Sequence, residues 1–442
     1  MSCEVQRSRT FSVLQPICSV LFQHRDDPRQ LGELLRGLAA VVREADRGGL
    51  QGCLDYVLFP LLLAADSITL LRQQARGPGH PLAAPVPAMA ADQAAEAALT
   101  CLAELLQRCH CQQGQQLASM LQRLLPVVML PPAVASEEVR HQALLAVGAA
   151  LDGVRQAPAA VHEALCSIEE APLLGQLTVA FLQTAEAELQ QGSTGSKVIR
   201  TTALQDLLVL ISSVSTPWAA AGAAADALSF FLPGTVVGLT KALIAAGSST
   251  QRGPAKSSAA AITALRGVAA ILTTCLGNAV MPAGIRQDAA GTPLAAAMSP
   301  LEQLQQLSTR SHMHHSQPVA ESRSPPSQAA AQVSPKPAQR VHMRVERDAA
   351  WVHSTVGHLE ELLATALPPL MLHPRPEVRQ ALAECEWAPT ASSGEHQLRH
   401  RESTALGAHH LRCGEHTRAH HGAHDSLMHP GFLAALQVLS SC

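Results

Sequence analysis

Between Lys197 and Ile211 the chain reads KVIRTTALQDLLVLI, and its apolar positions fall at helical spacing: Ile199, Ala203, Leu207 and Leu210 form one stripe. Leu204, Leu208 and Ile211 widen that stripe beyond what a surface helix requires, so this helix is expected to pack on two sides. EEVRHQALLAVGAAL, from Glu137 to Leu151, shares the grammar: an aliphatic-Arg pair, then Ala-Leu, then Leu/Val-rich helix. PEVRQALAE (Pro376 to Glu384) repeats it with one residue fewer, and QAAEAALTCLAELL (Gln93 to Leu106) and SSAAAITALRGVAAIL (Ser257 to Leu272) keep the Ala-Leu core without the Arg. The Ala of each Ala-Leu pair recurs at steps of 45 (Ala98 to Ala143), 60 (to Ala203), 61 (to Ala264) and 117 (to Ala381), the last nearly two units. HEAT-type repeats of about 40–47 residues, lengthened by insertions, match this periodicity.

A second set of segments supplies the partner helices. Leu54–Ile68, Leu121–Leu130, Leu228–Leu243 and Leu362–Leu372 each carry an aliphatic run interrupted by a proline, which is expected to kink or divide the helix. Each of these followed by an Ala-Leu helix reads as helix, turn, helix. Burying about six large side chains per helix at roughly 1.5–3 kcal/mol each offsets much of the ordering cost only if neighbours provide the other wall. The predicted fold is therefore all-α, a HEAT-like α-solenoid of stacked antiparallel helix pairs.

Three stretches fall outside the pattern. Residues 1–10 are expected to be disordered, the solenoid to run over 11–285 and again over 344–386, and a Pro/Ser/Gln-rich disordered insertion to occupy 286–343, with one short helix at Leu301–Leu307. Ser299, Ser324 and Ser334, each before a proline, are acceptors for proline-directed phosphorylation, although Ser-Pro pairs are common by chance in such a composition. Residues 387–442 form a His-rich tail without a periodic apolar face, except for a short amphipathic run at Gly431–Leu439.

Composition supports the helical reading. Hydrophobic residues make up 47% of the 442 and aromatics only 2%, the excess being Ala and Leu, which favour helices over sheets. A formal net charge of -3, with no basic stripe along a helix, excludes a nucleic-acid footprint. Eleven cysteines without repeated spacing do not make a disulfide framework, and the first sixteen residues lack a signal-peptide pattern. Leu207–Ala225 holds no charge, but serines, Thr216, Pro217 and Gly222 dilute it, and no membrane span is expected there.

Chemistry is suggested only locally. GSTGSK (Gly192 to Lys197) has the wrong glycine spacing for a phosphate loop and follows a helical segment, so it reads as a helix-connecting turn. Cys109-His110-Cys111 has no matching ligand pair at zinc-site spacing and reads as idle thiols. His409–His424 is dense in metal-capable side chains but lacks a hydrophobic frame to fix a geometry. No HExxH motif, nucleophile elbow or paired carboxylates occur, so no catalytic, cofactor or metal residue is expected. The recurring arginines Arg140, Arg200 and Arg379 are expected to serve the stacking of neighbouring units, with presentation to a partner as the alternative.

LDYVLFPLLL (Leu54 to Leu63), KVIRTTALQDLLVLI, FFLPGTVVGLTKAL, and RVERDAAWVHSTVGHLEELL (Arg344 to Leu363) followed by HPRPEVR resemble, in order, the amino-terminal region of the Tel-two-interacting protein one family. The resemblance spans most of Phe11 to Glu384. It implies a non-enzymatic HEAT-repeat scaffold, the large subunit of the Triple T co-chaperone complex. It further implies as partners the two other Triple T subunits, adaptors of the Hsp-ninety chaperone, and phosphatidylinositol-3-kinase-related kinases, including the target-of-rapamycin and DNA-damage-checkpoint kinases. A cytoplasmic location, with the nucleus as a second, goes with that role. A generic helical-repeat adaptor for transport or cytoskeleton is the alternative. Family members are around twice this length or more, and the text after Glu384 reads as a misjudged splice boundary or read-through in the gene model. No binding residue is carried over from the family.

Overall fold

The computed structural model describes residues 3–24, 27–74, 88–132, 134–167, 169–215, 221–247, 257–277 and 345–385. Among them are sixteen α-helices and no strand. In chain order these are α1 (Cys3–Gln23), α2 (Pro28–Glu44), α3 (Arg47–Gln51), α4 (Leu54–Gln74), α5 (Ala88–Arg108), α6 (Gly114–Val128), α7 (Glu137–Val154) and α8 (Ala159–Leu165). There follow α9 (Ala171–Gln190), α10 (Lys197–Val214), α11 (Ala221–Ser229), α12 (Leu232–Gly247), α13 (Ser258–Leu276), α14 (Ala349–Ala366), α15 (Pro368–Met371) and α16 (Pro376–Cys385).

The helices form two layers. In the first, α2, α5, α7, α10, α13 and α16 each pack on the next, and all but α2 are helices of the Ala-Leu grammar. In the second, α4, α6, α9, α12 and α14 are stacked in the same way. Side-chain pairs fix their directions. Ser196 Oγ at the start of α10 bonds to Glu137 at the start of α7, while Ser213 Oγ donates to Leu151 O near both helix ends at 2.8 Å. Thr201 meets Ser257 at 3.3 Å and Ser215 meets Thr274 at 2.8 Å, so α10 and α13 run the same way as well. In the second layer Gln116 bonds to Asp55, and Arg123 lies 3.4 Å from Asp66 about two to three turns further along. Like helices are thus parallel, and successive layered helices along the chain alternate between the two layers: an all-α solenoid.

The stacking helices begin alike. Ser136, Ser196 and Ser257 are the N-caps of α7, α10 and α13, accepting from the amides of Val139, Ile199 and Ala260 at 3.3, 3.2 and 3.3 Å. Each satisfies an orphan amide worth about 1 kcal/mol. The predicted stripe of α10 is buried: Ile199, Ala203, Leu204, Leu207, Leu210 and Ile211 are all inside, and Leu208 alone is half-buried. Small residues let the layer close up. At Gly148 of α7 an added Cβ would stand 2.3 Å from Asp206 Oδ1 of α10, so only glycine admits this approach.

Two expectations change. The prolines do not all interrupt: Pro60 and Pro126 lie inside continuous helices, whereas Pro233 and Pro368 sit in the first turns of new ones. The carbonyls that lose an amide partner to Pro60 and Pro126 are those of Tyr56 and Gln122, both exposed residues. The chain bends by 71° between α11 and α12, at the break just before Leu232 and Pro233, and proline is at home in a first turn because its missing N–H would have no partner there.

The amino terminus is also more ordered than its sequence suggests. Residues 3–10, expected to be disordered, open α1, which packs on α3. A Cβ at Gly49 would lie 2.3 Å from Thr10 Oγ1 and 3.0 Å from Gln6 O, and one at Gly52 would lie 3.1 Å from the Arg7 side chain. Polar residues of α1 thus rest on a glycine surface, which leaves no apolar periodicity to read. Where the chain resumes, Arg347 pairs with Asp226 of α11 at 2.9 Å and Asp348 caps α14 through the Trp351 amide at 2.7 Å.

The Leu207–Ala225 stretch is not one helix, since α10 ends at Val214. Ser258–Leu276 is long and apolar enough to cross a membrane, and half of it is buried among its neighbours. Leu301–Leu307, the three Ser-Pro sites and the His-rich tail lie outside the described residues.

Candidate functional site

The recurring arginine is buried at two of its three occurrences. Arg140, in the first turn of α7, reaches across to Glu188 near the end of α9 in an ion pair with both side chains inside. Glu188 also accepts from the Ser196 amide at 2.7 Å, so one carboxylate ties α7, α9 and the start of α10 together. Arg200, at the same place in α10, reaches forward to α12, where its Nη2 donates to Ala242 O at 3.2 Å. Burial lowers its pKa to about 10. Both arginines join a first-layer helix to the second-layer helix of the following unit.

Arg379 does neither. In α7 and α10 the arginine precedes the buried alanine by three residues, in α16 by two, which turns it about 100° around the helix. It is exposed and donates to His373 O at 2.6 Å, closing its own turn. The stacking role therefore holds for Arg140 and Arg200 and is corrected for Arg379. Glu188 was not singled out in the sequence, because AEAELQQ gives no local sign of which carboxylate faces inward.

Beside Arg200 a cavity of about 210 Å³ opens between α9, α10 and α12. Leu182, Ala185, Leu189, Leu204 and Ala242 wall it, and Lys241 and Glu186, 3.1 Å apart, stand at its edge. Gly238 keeps that edge low: a Cβ there would meet both Leu182 methyls at 2.7 Å.

The exposed apolar residues favour one layer. Tyr56 and Phe59 on α4, Val179 on α9, Val237 and Ile244 on α12, and Met129 directly after α6 are exposed, against Val198 in the first layer, among the described residues. Phe11 and Phe22 of α1 extend the group, edge-on to Tyr56 at 4.9 Å and tilted on Phe59 at 5.8 Å. On α9 and α12 charge is sparse: the exposed positions in the first fourteen residues of α9 are Pro172, Gln176, Val179 and Gln183, and Lys241 is the one exposed charge on α12, whereas Asp55 on α4 and Arg123 on α6 are exposed as well. Exposed apolar side chains gathered on one layer make it the candidate protein-binding surface.

The other sequence candidates have structural places. Gly192–Thr194 is a 3-10 turn with Gly192 at φ 63°, leading into the Ser196 cap, so GSTGSK connects α9 to α10. Cys109 and Cys111 are buried, and burial pushes their thiols up to about 11 and about 12, away from the thiolate that binds metal. The backbone of His110 is held by Gln51, whose amide accepts from His110 N at 3.0 Å and donates to His110 O at 2.9 Å. Burial, aided by Arg47, lowers the His110 pKa. No group of three or more His, Cys, Asp or Glu side chains suited to a metal ion occurs among the described residues.

No curated protein and no solved structure matches the chain. One family model does: the TTI1 N-terminal TPR domain, over residues 11–386. That match covers most of the 442 residues and every helix just described except the first eight residues of α1, so the chain belongs to the Tel-two-interacting protein one family, as its amino-terminal part.

Proposed function

We propose that this protein is a non-enzymatic scaffold subunit of a Triple T-like co-chaperone complex. In that role it holds the two other subunits and, with adaptors of the Hsp-ninety system, supports the maturation and stability of phosphatidylinositol-3-kinase-related kinases in the cytoplasm. The observation that carries the reading is the family match over 11–386. The exposed apolar residues of the second layer, with little charge around them on α9 and α12, support it, since a scaffold presents surface for partners. Affinity purification of the tagged chain tests it: the two Triple T subunits and at least one giant kinase should co-purify. Val179→Glu combined with Val237→Glu, both exposed changes, should reduce that recovery while leaving the thermal unfolding of the chain in place. Recovery of transport or cytoskeletal proteins instead, without the Triple T subunits, would overturn the proposal.

A further inference from the structure

We infer that the cavity between α9, α10 and α12 is a binding site for a free α-amino acid with an aliphatic side chain. The inference goes beyond the scaffold reading and does not depend on it. Size comes first. At about 210 Å³ the cavity is smaller than the roughly 300–1,000 Å³ of pockets that enclose drug-sized ligands, so it suits a small metabolite. Its walls set the body of that metabolite. Leu182, Ala185, Leu189, Leu204 and Ala242 present hydrocarbon, and an aliphatic chain laid against them is taken out of water.

The edge sets the other end of the ligand. Lys241 and Glu186 both line the cavity, with the Lys241 ammonium 3.1 and 3.4 Å from the two carboxylate oxygens of Glu186. Gln190 stands beside them and donates to Glu186 Oε1 at 3.5 Å. Neither charged group is used up by these contacts, since an ammonium has three N–H donors and a carboxylate about four accepting sites. A ligand carrying only a carboxylate would meet Lys241 but crowd Glu186, and one carrying only an ammonium would do the reverse. A ligand with both on one carbon closes an alternating ring of charges, its carboxylate on Lys241 and its ammonium on Glu186. An apolar chain ending in that pair of groups is an α-amino acid. Arg200 lies in the wall with partners of its own, Ala242 O among them, and is not asked to meet the ligand.

The site is accessible and its wall is already seated. The side chains of Lys241 and Glu186 are 55% and 40% exposed, so a ligand reaches them from solvent, and an exposed pair adjusts its geometry at little cost. Leu182 packs directly on Gly238, where a Cβ would stand 2.7 Å from both of its methyls. Glycine is a poor residue for a helix interior, yet here it gives the leucine of the cavity wall its place.

The test titrates the full chain with isoleucine, N-acetyl-isoleucine, isoleucinamide and glycine, read by saturation-transfer difference NMR. Isoleucine should bind with a dissociation constant of about 1 mM, the modest affinity its few atoms allow. N-acetyl-isoleucine, which lacks the cation, and isoleucinamide, which lacks the anion, should each bind at least tenfold more weakly, and glycine not detectably. Glu186→Gln should erase the preference for isoleucine over N-acetyl-isoleucine, and Lys241→Met the preference over isoleucinamide. Ala185→Leu, which fills the cavity, should abolish binding; if that variant does not fold by circular dichroism, the two variants at the exposed edge decide. No isoleucine binding at tenfold the expected constant, or edge variants that keep both preferences, would overturn the inference. Equal binding of isoleucinamide or of N-acetyl-isoleucine would overturn it too, pointing to a terminal residue of a polypeptide in place of a free amino acid. The titration requires no partner subunit, so its failure leaves the scaffold reading standing, and failure of the purification above leaves this site standing.

Discussion

Two junctions of the solenoid begin from the same sequence pattern and close in different ways. Where α7 meets α9 and α10, polar groups are taken inside: Arg140 on Glu188, and Asp206 against Gly148. Where α10 meets α12 and α13, the arginine meets a backbone carbonyl, a leucine lies against Gly267, and space remains beside Arg200. The comparison teaches that a repeat preserves a requirement, a buried cation needing an acceptor, while the means of meeting it varies between units. The first junction is closed by its own chain. The second keeps an opening.

The largest expected effect strikes the first junction. Glu188→Leu strands Arg140 in the core and removes the acceptor of the Ser196 amide, and should cost about 3–5 kcal/mol in urea unfolding. Replacing Arg140 by Met in the same chain should recover most of that loss, since an apolar pair of similar volume tolerates burial. A cost below about 1 kcal/mol for Glu188→Leu would mean that the ion pair does not close this junction.

The two glycines sharpen the contrast. Gly148→Ala would place a methyl 2.3 Å from Asp206 Oδ1, an overpacking expected to cost about 1–3 kcal/mol, and Asp206→Ala should relieve it in a double-mutant cycle. Gly267→Ala meets Leu239 Cδ1 at 3.2 Å, which a leucine can yield by a small shift, so the second junction should lose less. Equal costs would remove the distinction drawn between them.

Asp206 gives the first junction a pH dependence. Burial raises its carboxyl well above the ordinary value, and its Oδ2 has no hydrogen-bond partner among the described residues. The folded state therefore holds the proton more tightly than the unfolded one. The stability so gained is full below the unfolded carboxyl's pKa of about 3.9 and is lost as pH rises through the folded value, at no more than about 1.4 kcal/mol per pH unit. Asp206→Asn should flatten that slope in unfolding curves taken from pH 4 upward. A slope identical in the two proteins would locate the dependence elsewhere.

The smallest effects are at the caps. Ser136→Ala and Ser257→Ala should each cost about 1 kcal/mol. Ser196→Ala should cost more, because its hydroxyl also bonds to the carboxylate of Glu137 across the junction, a stronger bond than the one Ser257 makes to the Thr201 hydroxyl. Three equal losses in thermal unfolding would show that this cross-link adds nothing.

Much of this architecture was legible in the residues. The α10 stripe from Ile199 to Leu210 is buried as its spacing predicts, and the Ala-Leu helices are the ones that stack on one another. The same serine opens α7, α10 and α13 at positions 136, 196 and 257, a regularity as plain as the Ala-Leu steps. What escaped had no local period. The second-layer helix α9 carries its proline, Pro172, ahead of its aliphatic run and not within it, the start of α1 is polar because it rests on glycine, and the shift of Arg379 by one residue looks trivial in a string although it faces the side chain elsewhere.

The sequence by itself determined the helical class, the faces each helix buries and the family, because those depend on spacing within a few turns and on ordered blocks of text. Tertiary structure alone decided that Arg140 meets a carboxylate 48 residues away, that Arg200 meets a carbonyl and a cavity, and that the exposed apolar residues of the layered helices gather mostly on one layer. Periodicity reports which side of a helix avoids water. Which atom lies across from that side depends on how two layers settle against each other, and that is a property of every helix in the stack at once.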